Sequence, residues 1–104
     1  MSALRLDKWL WFSRFTKSRA DAQKLIDRGQ VTLNGKVVEK VSADVKVGDA
    51  LAIVTGPIRH TVEVRALGTR RGPAAEAQAL YARTAPQERL TWEDAAPPLH
   101  RRSF

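Results

Sequence analysis

The run Arg5 to Phe15 contains no Gly or Pro, and Leu6, Trp9, Leu10 and Ser13 fall at the i, i+3, i+4, i+7 spacing of one helical face. This spacing predicts a short helix, and Asp7 near its start suits the positive end of the helix dipole. Ser18 followed three residues on by Asp21 resembles a capping box with Asp in place of Glu, so a second helix is expected from Arg19. Gly29 would close it in a left-handed conformation. Ala22, Leu25 and Ile26 form its apolar stripe.

After Gly29 the period changes from helical to alternating. Val31-Thr32-Leu33 and Lys36-Val37-Val38 flank Asn34-Gly35, a pair that accepts positive φ at both turn positions and predicts a hairpin. Ala50 to Val54 reads as a buried strand entered through Gly48-Asp49 and broken by Thr55-Gly56-Pro57. From His60 to Leu67, Val62, Val64 and Ala66 alternate with Thr61, Glu63 and Arg65, the pattern of a half-buried strand. Pro73 then opens an expected helix over Ala74 to Arg83, with Ala77, Leu80, Tyr81 and Thr84 at packing spacing. Beyond Pro86 the chain is polar and reads as a flexible tail. Two helices followed by about four strands make an α+β fold: two N-terminal helices on a small, mainly antiparallel sheet, plus a C-terminal helix.

With 104 residues and 43% apolar content, the chain has material for one core and little room for a substrate-enclosing enzyme. It has no Cys, which excludes disulfide scaffolds, thiolate metal sites and cysteine nucleophiles. The apolar patch Trp9 to Phe12 is far too short for a signal peptide or membrane span, so a cytoplasmic protein without membrane contact is expected. His60 and His100 have no nominated partners, and no HExxH, GxSxG or phosphate-loop pattern occurs. No catalytic residue, metal site or cofactor is therefore expected.

Charge sharpens the picture. Residues 1–40 carry nine Lys and Arg against four Asp and Glu, an excess of five, whereas residues 41–82 carry an excess of one. Clustered cations of this kind suit a polyanion. Arg5, Lys8, Arg14, Lys17, Arg19, Lys24, Arg28 and Lys36 are the candidate phosphate contacts. Ser18, at the head of the second helix, and Gln23 and Asn34 are candidates for directional hydrogen bonds. Most of the aromatics belong to the core by their spacing. Trp11 lies off the Leu6-Trp9-Leu10 stripe and is a candidate for stacking on a base. Charge reversal at Arg19 together with Lys24 is expected to weaken RNA binding and leave the fold intact.

The strings Arg5-Leu6-Asp7-Lys8-Trp9-Leu10, Ser18-Arg19-x-x-Ala22-x-x-Leu25-Ile26-x-x-Gly29-x-Val31-x-Leu33-Asn34-Gly35 and Val47-Gly48-Asp49 resemble the RNA-binding module first described in small-subunit ribosomal protein S-four, over about 45 residues. That resemblance implies an αL-type RNA reader whose two helices and following loop form the binding surface. The residues Arg5 to Trp11, Arg14-Phe15 and Arg70-Arg71-x-Pro73-Ala74-x-Glu76-Ala77-x-x-Leu80-Tyr81 look like the bacterial ribosome-associated heat-shock proteins of fifteen kilodaltons, extending the similarity from residue 5 to about 84. This implies binding to ribosomal RNA of the large subunit, including stalled subunits that carry a nascent chain on transfer RNA, in stress-linked recycling. That family typically continues as a longer basic tail, from which this chain departs after Pro97-Pro98.

The expected organisation is an RNA-binding domain over residues 1–68 (core module about 5–53), a linker and C-terminal helix over 69–84, and a flexible tail over 85–104. A monomer is expected, with weak non-specific DNA binding through the same basic face. Two rivals remain at this point. One is a transfer-RNA-binding module or an accessory to an RNA-modifying or synthetase enzyme; the other is an adaptor for nascent chains offering Trp11, the C-terminal helix and Phe104 as apolar contacts.

Overall fold

The computed structural model describes residues 2–90. In chain order the elements are β1 (Leu4–Arg5), α1 (Leu6–Phe12), α2 (Arg19–Asp27), β2 (Val31–Leu33), β3 (Lys36–Val37), β4 (Asp44–Val45), β5 (Ala50–Thr55), β6 (Ile58–Val64), α3 (Ala74–Gln78) and β7 (Tyr81–Arg89). The fold is α+β. Five antiparallel strands in the order β3-β2-β5-β6-β7 form the main sheet, and β1 pairs with β4 in a second, two-stranded one. Leu6, Trp9, Leu10 and Ile26 from the helices pack with Val31, Leu51, Ile53, Val62 and Val64 from the sheet in one buried core.

Both N-terminal helices stop by the same device. At the end of α1 the Arg14 N–H donates to Trp11 O and the Phe15 N–H to Leu10 O; at the end of α2 the Gly29 N–H donates to Ile26 O and the Gln30 N–H to Leu25 O. Each is a Schellman closure around a left-handed residue. The second uses Gly29 at φ 73, as the sequence predicts, but the first uses Arg14 at φ 65. α2 begins where expected: Ser18 is its N-cap, and its side-chain oxygen accepts from the Asp21 N–H. Ala22 and Ile26 are buried, with Leu25 partly buried beside them.

The Asn34-Gly35 hairpin is present, with Asn34 at φ 51, Gly35 at φ 87, and Leu33 facing Lys36 in the register. The Gly56-Pro57 break is itself a tight turn between paired strands, Thr55 facing Ile58.

The structure corrects the expected C-terminal helix. α3 ends at Gln78, and Tyr81 to Arg89, including Thr84, form an edge strand along β6. Leu80 makes the switch: its carbonyl accepts from the N–H groups of both Arg65 and Ala66, which removes it from any continuing helix. The exposed edge of β6 gains a partner, and that outweighs a weak helical period. Pro86, which would break a helix, is accommodated because β7 is an edge strand whose register slips opposite Arg59 to Val62. Residues 85–89, expected to be tail, are therefore in the sheet, and Leu90 is buried. The rest of the expected tail, residues 91–104, lies outside the described residues.

Candidate nucleic-acid interface

Asp7 is fully buried at the start of α1 and gathers several of the residues singled out from sequence. Arg5 donates to it from Nε at 3.2 Å and Nη2 at 3.1 Å, Arg19 from Nε at 3.2 Å, Gln23 from Nε2 at 2.9 Å, and the Lys8 N–H at 2.8 Å. Burial alone would raise the Asp7 carboxyl, but the hydrogen bonds from Gln23, Arg5, Arg19 and the Lys8 amide together outweigh it and hold the group below the ordinary carboxylate range. Arg5 and Arg19 keep 42% and 37% of their side-chain surface exposed, so each guanidinium is anchored on one side and open on the other. Arg19 is thus a brace as well as a surface cation. The expectation that its reversal would leave the fold intact does not survive this contact, because a carboxylate at position 19 would face Asp7.

Lys17, Lys24 and Arg28 line a single groove between α2 and the Thr55-Gly56 turn, about 300 Å³ in volume, with Phe15 and Leu25 as its apolar wall and Asp21 as its one carboxylate. Among the described residues none of these three cations is in an ion pair. Lys8 is half-buried on α1 and outside that groove's lining, and Lys36 is exposed on the hairpin, where it lines a different, largely apolar groove with Leu33, Val37 and Val38.

The remaining candidates are engaged inside the protein. The Ser18 hydroxyl oxygen is occupied as the helix cap. Asn34 clasps the hairpin to the start of β5: its Oδ1 accepts from the Ala50 N–H at 2.9 Å and its Nδ2 donates to Asp49 Oδ1 at 3.1 Å. Trp11 is half-buried with its ring 5.9 Å from that of Phe12. Arg14 is exposed, and its Nε donates to the Gly72 carbonyl at 2.7 Å.

A second hollow of about 300 Å³ adjoins the first, sharing Phe15 and Thr55 with it. Tyr81 lies 4.8 Å from Phe15 by ring centroids and His60 5.3 Å. Arg83 Nη1 stands 3.2 Å from His60 Nδ1, and His60 Nε2 stands 3.0 Å from Thr55 Oγ1. A guanidinium can only donate, so Nδ1 is the acceptor and Nε2 carries the proton toward Thr55. Burial, and then the nearby Arg83 charge, push the His60 imidazole below its ordinary value of 6.5, so it is neutral at pH 7.

Compared with known proteins, residues 4–51 match the S4 domain family model. The chain is 44% identical over 82 residues to heat shock protein 15 of Escherichia coli K12, an alignment covering 79% of this chain and 61% of that one. It is 42% identical over 64 residues to the RQC P-site tRNA stabilizing factor of Bacillus subtilis, covering 62% of this chain and 73% of that protein. The trimeric structure of Vibrio cholerae heat shock protein 15 superposes with a TM-score of 0.75 at 37% identity, covering 81% of this chain and 84% of that one. The chain belongs to the S4-domain family of heat shock protein 15.

In this S4-domain protein the matched segment holds Asp7 with its donors and all of the Lys17 groove's lining except Thr55 and Gly56, while the His60 hollow takes most of its lining from beyond residue 51. Sequence reading passed over His60, Tyr81 and Arg83 as site residues. The expected helix over Ala74 to Arg83 includes Tyr81 and Arg83; the signal for a strand is the β-prone Tyr81 and Thr84 just ahead of Pro86. Arg71 was also passed over: its Nη2 donates to the Thr16 carbonyl at 3.3 Å, tying the segment before α3 to the turn between α1 and α2. Among the described residues no three His, Asp or Glu side chains gather as a metal site, and no helix is long and apolar enough to cross a membrane. The chain spans about three fifths of the length of the E. coli relative.

Proposed function

We propose that this chain is a non-enzymatic RNA-binding protein that docks on ribosomal RNA of the large subunit and acts on stalled subunits carrying nascent chain and transfer RNA. The observation that carries the reading is the groove lined by Lys17, Lys24 and Arg28, whose charges no carboxylate among the described residues neutralises in an ion pair. Arg5 and Arg19, braced on Asp7, extend the same basic face, with Lys8, Arg14 and Lys36 as further phosphate contacts and Trp11 as a stacking surface. Ser18, Gln23 and Asn34 contribute by fixing the backbone that presents these cations. Recognition rests on RNA shape, since phosphate contacts carry no sequence information. The names of the relatives, a heat shock protein and a factor that stabilises P-site tRNA in ribosome quality control, support the ribosomal setting and make transfer RNA a second ligand.

We propose a cytoplasmic monomer as the acting form, in contrast to the trimer of the Vibrio cholerae relative; among the described residues the exposed large apolar side chains are Val37 and Val47.

The test is sedimentation of the tagged protein from lysate through a sucrose gradient at low and moderate salt, with a ribonuclease-treated control. Co-migration with free large subunits that ribonuclease abolishes is the expected result; retention at the top at both salts would overturn the ribosomal target.

A further inference from the structure

We infer that the hollow between the α1–α2 turn and the β5–β6–β7 end of the sheet binds one unpaired nucleotide of the RNA. This rests on the RNA-binding reading above and extends it to a site that the groove on α2 does not include.

The arginines are held in two ways. Arg5, Arg19, Arg59, Arg65 and Arg70 each lie against a carboxylate, which cancels much of their charge. Arg14 and Arg83, the two that line this hollow, are instead oriented by neutral acceptors, the Gly72 carbonyl and the His60 imidazole. Their position is set while their full charge remains available, and no Asp or Glu lines the hollow to compete for it. An anion, and a phosphate fork in particular, is the matching ligand.

The wall of the hollow is partly aromatic. Phe15, Tyr81 and His60 form an aromatic cluster that is only half-buried, so ring surface faces the space, and Gln78 adds an amide able to donate and accept. Arg83 lies over the Tyr81 ring at 5.6 Å from its centroid, and two cations beside half-buried rings with one adaptable amide fit a phosphate joined to a flat, hydrogen-bonding base. The volume of about 300 Å³ is at the small end for ligand pockets and admits one nucleotide, not a duplex.

The backbone at Arg14 is strained. Arg14 occupies at φ 65 the closing position that α2 gives to Gly29, a conformation that costs a non-glycine residue stability. The left-handed backbone sets an arginine whose guanidinium donates to the Gly72 carbonyl and lines the hollow.

Continuity completes the case: Phe15 and Thr55 line both hollows, so a strand whose phosphates follow Lys17, Lys24 and Arg28 passes directly to Arg14 and Arg83.

The experiment compares an RNA stem with the same stem bearing a short single-stranded extension that carries 2-aminopurine. Wild-type protein is expected to bind the extended RNA about tenfold more tightly, the worth of one stacked base, and to quench the probe. Arg83→Gln, a change at an exposed side chain, should bind both RNAs equally at the blunt-stem affinity and leave the probe bright, while Arg83→Lys should recover part of the preference. Equal affinities in the wild type, or a preference that persists in Arg83→Gln, would overturn the assignment. Failure of the wild type to bind either RNA would defeat the RNA-binding reading itself, and the nucleotide site with it.

Discussion

Gln23 on α2 donates from Nε2 to Asp7 Oδ2 on α1 at 2.9 Å, so the two helices of the basic face are joined through one buried carboxylate. Arg19 reaches the same oxygen at 3.2 Å. Arginine charges that would otherwise repel each other are held side by side by this anion, which makes Asp7 a structural residue in service of a binding face.

Asp7→Asn leaves two guanidinium groups without a counter-charge and one buried amide poorly matched to its donors. A loss of about 2 kcal/mol is expected, a fall of roughly 10 °C in Tm for a domain of this size. Thermal unfolding followed by circular dichroism measures it. Arg19→Glu should unfold at a similarly lowered temperature.

Replacing Lys17 and Lys24 together with Gln removes two groove cations that are not in ion pairs with described residues. RNA affinity should fall about tenfold at low salt, and the slope of log K against log salt should shrink by about 1.4. Stability should change by less than about 0.5 kcal/mol. A filter-binding series over several salt concentrations, with a melt on the same sample, separates the two effects.

His60 links stability to pH through its lowered proton affinity. Between the folded value and 6.5 the unfolded chain binds more protons than the native one, so native stability is complete above pH 6.5 and declines as pH falls through the folded value. Denaturant midpoints at pH 7.5, 6.5 and 5.5 should therefore fall across the series in the wild type. In His60→Gln that part of the decline should be absent.

Asn34 combines φ 51 with two side-chain bonds to the start of β5. Asn34→Ala loses both the bonds and the tolerance for positive φ and should cost about 2 kcal/mol; Asn34→Gly keeps the backbone freedom and should cost about 1 kcal/mol. Urea unfolding of the two variants beside the wild type gives the difference.

Local chemistry made the N-terminal half readable. Ser18, Gly29 and Asn34-Gly35 each act within a few residues of their own position, and their roles follow from hydroxyl capping and from tolerance of positive φ. What went unread depends on distant partners. Arg14 looks like any helical cation until its left-handed backbone and its bond to the Gly72 carbonyl are seen, and Tyr81 and Arg83 have a helical neighbourhood but pair with Val64 and Val62 in the sheet. Asp7 is legible as a carboxylate at the positive end of a helix dipole, but not as the meeting point of Arg5, Arg19 and Gln23, because the crossing of α1 over α2 is a tertiary fact.

The buried Trp9 indole N–H donates to the Ala66 carbonyl at 2.9 Å, 57 residues along the chain, and its ring sits 6.4 Å from Tyr81 by centroids. A protein synthesised from its N-terminus must therefore present this indole to its surroundings until the strand after Thr55 has emerged. The first helix is among the earliest segments made, and the carbonyl its indole reaches is made 57 residues later, so this contact forms late in synthesis. For the same reason a fragment ending near residue 51 would carry the family signature without the Ala66 and Tyr81 contacts of its buried Trp9.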